Sequence, residues 1–427
     1  MRRRAPSRKL MSRLRFAMLS VATLAWVASV SASTNNSSAA FSETALRDAV
    51  RRADAASLMA QYQHPSDAVS RALAAMALDR VTWQLGNSSA TARTCAKALA
   101  ESQPVTAFFC AKFEAGNLRL MGRYADAARA DTAAGANFKV VAEADPSFQS
   151  FLRDNPTYAA MPPVTVEREG DVTVPVNFDA AHAFTVAISI NGQQLNVGLD
   201  TGAPTTLTRD TAHRIGVQIV VADHGKATGF LGKSSPQGLG IIDTLQLGGV
   251  TVRHVPVEVV EEGRDVIGND LLMQLGRFRL THAALELPAG KDALASCQEP
   301  MLVSTAAFGG ATLLVKPLVI DGKSRLTLLD TGDSFVLTGA AGAVGSASSQ
   351  GRRTVHTRDL THADRDVETL QSHARVEYAG RIREVDASIF PDAHLPYDYI
   401  LGGGALTEVS LEVDFDNSHV CLVQHQA

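Results

Sequence analysis

Two stretches of this chain repeat one another in residue type and in spacing, and that duplication constrains its fold more than any bulk property does. In the first, Phe184-Thr185-Val186-Ala187-Ile188-Ser189-Ile190 runs into Asn191-Gly192 and then Leu195-Asn196-Val197-Gly198-Leu199-Asp200. In the second, Thr312-Leu313-Leu314-Val315 through Val319-Ile320 runs into Asp321-Gly322 and then Leu326-Thr327-Leu328-Leu329-Asp330. Asn-Gly and Asp-Gly favour two-residue hairpin turns because their backbones tolerate positive φ. Each turn starts nine residues before its Asp, and each Asp is followed by Thr-Gly. Leu207-Thr208 and Leu337-Thr338 follow at matching offsets. Farther on, Val266-Ile267-Gly268 and Tyr399-Ile400-Leu401-Gly402 place a glycine 68 and 72 residues after the Asp. One Asp-Thr-Gly arises by chance about 0.1 times in a chain this long; alone it reads as a β-turn ending a buried strand. Two with shared flanks read as equivalent points of a duplicated lobe.

The pattern resembles aspartic peptidases of the pepsin and retropepsin type. Leu199-Asp200-Thr201-Gly202-Ala203 with the following threonines is similar to retropepsins, as is Ile267-Gly268-Asn269-Asp270-Leu271-Leu272, although Asn269 stands where they often carry Arg. Two tandem lobes in one chain are instead similar to the pepsin layout. The resemblance spans about residues 164–425 and implies an all-β, two-lobed acid-protease fold of duplicated lobes, at 164–290 and 300–425. It implies an endopeptidase acting on polypeptide, best below neutral pH, with Asp200 and Asp330 as the catalytic pair and no cofactor or metal. Two facing carboxyls share one proton; the ionised one activates water while the protonated one donates to the scissile carbonyl. Thr201 and Thr331 are expected to fix the two tips by bonding across the lobe interface, and Gly202 and Gly332 to let the backbone turn tightly. Segment 226–235, with Gly229-Phe230-Leu231-Gly232 at its centre, is the expected flap, an exposed loop being the plainer reading. The matching segment 354–367 is polar instead, with Arg358, Asp359, His362, Asp364, Arg365 and Asp366. His356, His362 and His373 lie at no close ligand spacing and read as loop histidines.

Asp333 departs from the family pattern, where Ala, Ser or Thr is usual. Either it faces solvent or pairs with a base, leaving catalysis intact, or the second lobe has drifted and the fold survives as an inactive peptide-binding module.

Ahead of the β-rich part the chain has a different grammar. Residues 1–15 carry seven basic side chains, then an apolar run extends from Phe16 to Val30, with Val30-Ser31-Ala32 before Ser33. This is signal-peptide anatomy for residues 1–32, and about 15 apolar residues fall short of the roughly 20 that span a bilayer. A retained anchor is the alternative. Without that segment the balance of 40 basic and 44 acidic residues becomes 33 and 44, which argues against a nucleic-acid partner. Export, to a periplasm or beyond, also suits the four cysteines. Cys95 and Cys110, then Cys297 and Cys421, are expected to pair within their own neighbourhoods, the second pair tying residue 297 to the last strand.

A polar spacer (33–40) leads into an α-helical region at 41–160, rich in Ala, Leu and Arg. Leu85-Gly86 matches Met121-Gly122 and Ala92-Arg93 matches Ala128-Arg129, an offset of 36 that resembles tetratricopeptide-type repeats; an irregular bundle fits equally. Prolines from Pro156 to Pro163 are expected to end the helices. The region could bind a protein partner, dock on the lobes, serve as a pro-segment, or be the working surface of a scaffold protein.

Overall fold

The computed structural model describes residues 42–232, 234–343, 351–359, 362–393 and 395–425. The expected signal segment and spacer lie outside them. Among the described residues no helix is long and apolar enough to cross a membrane.

Eight helices come first: α1 (Glu43–Arg51), α2 (Ala55–Gln63), α3 (Ala68–Val81), α4 (Leu85–Leu99), α5 (Pro104–Leu120), α6 (Tyr124–Asn137), α7 (Lys139–Glu143) and α8 (Pro146–Ala160). Ser42, Asp54, Asp67 and Asp145 start four of them, each side chain accepting from an otherwise orphaned backbone N–H three residues on. The pairs α1–α2, α3–α4 and α5–α6 share one turn. A left-handed residue (Ala53, Trp83, Gly122) follows the first helix, and the next N–H closes back onto it: Asp54 on Ala49, Gln84 on Asp79, Arg123 on Leu118. Those turns are 30 and 39 residues apart, so the 36-residue register is not the structural one. Gly86 lies in the first turn of α4, whereas Gly122 occupies a turn between helices. The helices also outlast Pro156, which α8 contains; they end at Met161, driven to extended backbone (φ −65°, ψ 128°) ahead of Pro162.

The first lobe comprises β1 (Thr165–Arg168), β2 (Val172–Asp179), β3 (Ala183–Ile190), β4 (Gln193–Asp200), β5 (Thr206–Thr208), α9 (Arg209–Arg214), β6 (Gln218–Thr228), β7 (Ser234–Leu247), β8 (Val250–Val260), β9 (Val266–Gly268), α10 (Asn269–Gln274), β10 (Arg277–Leu280) and β11 (Ala284–Leu287). The second comprises β12 (Leu302–Thr305), β13 (Thr312–Ile320), β14 (Lys323–Asp330), β15 (Leu337–Gly339), β16 (Gly351–Asp359), β17 (His362–Tyr378), β18 (Arg381–Ile389) and β19 (Tyr399–Gly402). The final hairpin, β20 (Val409–Asp414) and β21 (His419–Gln424), crosses back to pair with β10, so its strands extend the first lobe's sheet.

Both lobes build the same crossing. The β3–β4 and β13–β14 hairpins turn at Asn191-Gly192 and Asp321-Gly322, where all four residues have positive φ. β4 runs parallel to β9, with Gly268 opposite Asp200; β14 runs parallel to β19, with Gly402 opposite Asp330. β5 and β15 then insert between β9 and β8, and between β19 and β18. Each Asp therefore ends a central strand walled by paired neighbours.

The helical region shares a core with the second lobe. Leu46, Val50, Leu58, Met76, Phe109 and Phe113 pack in one cluster with Val315, Leu328, Tyr397 and Ile400. Fully buried Arg80 binds the carbonyls of Ala306 and Ala307, that of Phe113 and the Oδ1 of Asn117. Cys95 of α4 is bonded to Cys110 of α5, and Cys297 to Cys421 of β21.

Candidate active site

Asp200 and Asp330 meet where the ends of β4 and β14 face each other. Each carboxylate accepts from the backbone two residues on: Gly202 N–H on Asp200 Oδ1 at 2.8 Å, and Gly332 N–H on Asp330 Oδ1 at 2.9 Å. The two glycines have ordinary negative φ, so turn conformation is not why glycine stands there. Room is the reason. A Cβ on Gly332 would lie 2.2 Å from Oδ2 of Asp200, and one on Gly202 would lie 2.5 Å from Oδ2 of Asp330. Each carboxylate thus lies against the glycine of the opposite lobe.

Thr201 and Thr331 hold this approach. The N–H of Thr201 donates to Thr331 Oγ1 (3.0 Å), and that hydroxyl donates to the Leu199 carbonyl (2.8 Å). Reciprocally, the N–H of Thr331 donates to Thr201 Oγ1 (3.1 Å), which donates to the Leu329 carbonyl (2.9 Å). Both side chains are buried. Four bonds related by an approximate twofold axis therefore lock the strand ends together, and with them the carboxylates.

Electrostatics separates the pair. Burial, the Asp200 charge, the Asp333 charge and a hydrogen bond to Asp200 push the Asp330 carboxyl well above its ordinary range. Two carboxyls this close titrate as a coupled pair, because ionising one opposes ionising the other. Asp333 takes neither of the two placements that its sequence suggested. It is half-buried, its Oδ1 accepts from Phe335 N–H, and the Thr338 side chain beside it favours the charged form against the effect of burial. Among the described residues no base forms an ion pair with it. Burial raises it from 3.8 to about 6.

The closing motif of the first lobe supplies two supporting side chains. Asp270 takes the N–H and hydroxyl of Thr205 at 2.8 and 2.6 Å, and that hydroxyl accepts from Gly268 N–H, bracing the first Asp loop. Asn269 is fully buried and donates across the lobes to the carbonyl and hydroxyl of Thr312. An amide in the place of Arg is therefore an inter-lobe tie here.

The β6–β7 hairpin carries Gly229-Phe230-Leu231-Gly232 at its turn. Phe230 meets Phe390 of the second lobe edge to face, with centroids 5.2 Å apart. Phe230 and Leu231 pack on a small apolar cluster of Ala340, Val355, Phe390 and Ala393. The hairpin thus reaches across to the other lobe. Phe390 carries no motif, and only the fold puts it opposite a strand turn 160 residues away. In the polar hairpin β16–β17, His356 faces Asp366, while His373 of β17 faces Asp386 of β18.

Residues 186–275 match the sequence model of the family described as aspartyl protease. This segment is similar to the aspartyl protease family. The match takes in the first Asp loop, the β6–β7 hairpin and the glycine element of the first lobe. Among solved structures, the chain is similar to basic 7S globulin from soybean (12% identity, TM-score 0.35, 60% of this chain and 95% of that one). It is similar also to the aspartic proteinase from Irpex lacteus (14% identity, TM-score 0.36, 60% of this chain and 97% of that one). No curated protein matches the chain in sequence.

Proposed function

We propose that the protein is an exported aspartic endopeptidase that hydrolyses peptide bonds with a water activated between Asp200 and Asp330. The observation that carries this reading is the reciprocal threonine lock, which brings buried Asp200 and half-buried Asp330 from matched loops against each other. Asp200, ionised, takes a proton from the water; Asp330, protonated, donates to the scissile carbonyl, and the roles reverse to release the products. The hairpin bearing Phe230 covers the cleft and excludes bulk water from the reacting bond. The substrate is a polypeptide, and two disulfides suit an oxidising, extracytoplasmic compartment.

The test is cleavage of an unfolded protein by the full chain between about pH 3 and pH 8, beside Asp200→Asn and Asp330→Asn. Both variants should lose at least about a thousandfold in kcat/KM, in line with removing half of a catalytic unit. Persistent cleavage by both variants refutes the mechanism. Asp333, a third carboxyl beside the pair, favours one second reading, a peptide-binding module without catalysis; peptide capture with no cleavage by the unmodified chain would select it.

A further inference from the structure

The flap strand β6 is out of register with its partner. Between Val221 and Gly225 it advances four residues while β7, from Leu239 to Gln237, advances two. The surplus residues bulge outward, and Gly225 closes the bulge at φ +122°, a conformation that a side chain would strain. Beyond this point the hairpin runs to Phe230 and the opposite lobe.

The bulge is held from outside the lobe. His224, at its apex, lies between two side chains of α8: Tyr158 Oη is 3.0 Å from Nε2, and Asp154 Oδ2 is 3.2 Å from Nδ1. The carboxylate selects the tautomer with the proton on Nδ1, leaving Nε2 to accept from the phenol, which burial keeps protonated. Asp154 and Tyr158 are both buried, at 5% and 7% exposure, so neither bond is a surface accident. Arg153 adds a bond from its guanidinium to the Asp223 carbonyl, at 3.3 Å. Apolar packing runs the same way: Tyr158, Met161 and Ala128 of the helical region form one cluster with Leu239 and Ile241 of β7, against which Val220 and Val221 pack. The helical end is itself fixed, since Asn155 donates to the Ala128 carbonyl of α6. The outer part of the hairpin therefore begins at Gly225, and the bulge just before it is pinned to α8.

We propose that Asp154, His224 and Tyr158 anchor the flap hinge to the helical region, which makes α8 a positioning element of the cleft. These residues touch no substrate. They set where the outer part starts and how freely it opens, and so how well a polypeptide is held. The claim rests on the peptidase reading for its kinetic consequence but not for its structural one.

The experiment uses the full chain with Tyr158→Phe, Asp154→Ala and Asp154→Asn, reading backbone hydrogen exchange together with kcat and KM on an unfolded-protein substrate. Tyr158→Phe and Asp154→Ala should speed exchange of the amides in 225–232 by about three- to tenfold, the factor that one net hydrogen bond represents. The β13–β14 hairpin should stay unchanged, and KM should rise by a similar factor while kcat moves less. Asp154→Asn keeps an acceptor for Nδ1–H and should stay within about twofold of the unmodified chain on both readouts. Unchanged exchange at 225–232 in both disruptive variants overturns the anchor, as does an equal rise in the β13–β14 hairpin, which would mark a general loss of stability. Should no form cleave, the exchange contrast still decides the anchor, and the peptidase reading fails separately.

Discussion

Replacing Asp333 with Asn removes a charge and little else, and its two consequences have opposite value to the protein. The folded state raises this carboxyl from 3.8 to about 6, so it binds the proton more tightly than the unfolded chain does. Asp333 is therefore harmless below pH 3.8, and its cost grows as pH rises through about 6, where the native state must ionise it. A displacement of about two pKa units corresponds to ~3 kcal/mol, and partial exposure of the side chain reduces this to ~2 kcal/mol. The amide that replaces it cannot ionise and can keep the bond to Phe335 N–H. Asp333→Asn should therefore stabilise the protein by about 2 kcal/mol at pH 7 and by almost nothing at about pH 3.5. Urea unfolding at both pH values, followed by tryptophan fluorescence and far-UV circular dichroism, measures the difference. On the catalytic side, the Asp333 charge opposes ionisation of Asp330. Removing it lowers the upper pKa of the pair, and the alkaline limb of kcat/KM should move acidward by on the order of one unit. Equal stabilisation at both pH values would refute the reasoning, as would an alkaline limb that stays in place.

Other perturbations address the same geometry. Thr201→Val leaves the Thr331 N–H and the Leu329 carbonyl without partners and should cost about 2–4 kcal/mol in urea unfolding, whereas Thr201→Ser should stay near the unmodified chain. Gly332→Ala drives a methyl into Asp200 Oδ2 and should lower kcat/KM by about a hundredfold or more with the circular dichroism spectrum retained. Replacing Cys297 and Cys421 together by Ala opens a loop of sequence separation 124 and should cost about 5 kcal/mol of chain entropy, read as a lowered urea midpoint. Deleting residues 42–160 uncovers Val315, Leu328, Tyr397 and Ile400; the remainder should bind a hydrophobic dye and lack a cooperative unfolding transition.

The duplicated hairpins were legible because tight-turn chemistry is local: Asn191-Gly192 and Asp321-Gly322 announce positive φ in two adjacent residues each, and the alternation of the flanking strands does the rest. The matched positions of Asp200 and Asp330, whose following threonines bond to each other, were legible in the same spacing. The reason for Gly202 and Gly332 was not, because it lies in a carboxylate about 130 residues away in sequence. Two local features of the helical region were illegible for a related cause. Pro156 breaks no helix, since a tertiary contact surface holds α8 on both sides of it, while Trp83 occupies a left-handed turn that composition would assign to glycine. Phe390 and His224 show the limit most clearly. Neither stands in a motif, and each matters only through a partner that the fold brings to it.

The placement of the helical region bears on what it is for. A pro-segment must leave without dismantling the enzyme, and a scaffold must work without the lobes. Neither suits a region whose buried Arg80 satisfies the carbonyls that open the second lobe and whose Phe109 and Phe113 fill that lobe's core. Its removal would strand those carbonyls and expose that core together, which is a cost beyond what a domain of ordinary stability withstands. The same region bonds to β6 at His224. It therefore contacts the second lobe through a shared core and the first lobe through β6 and β7.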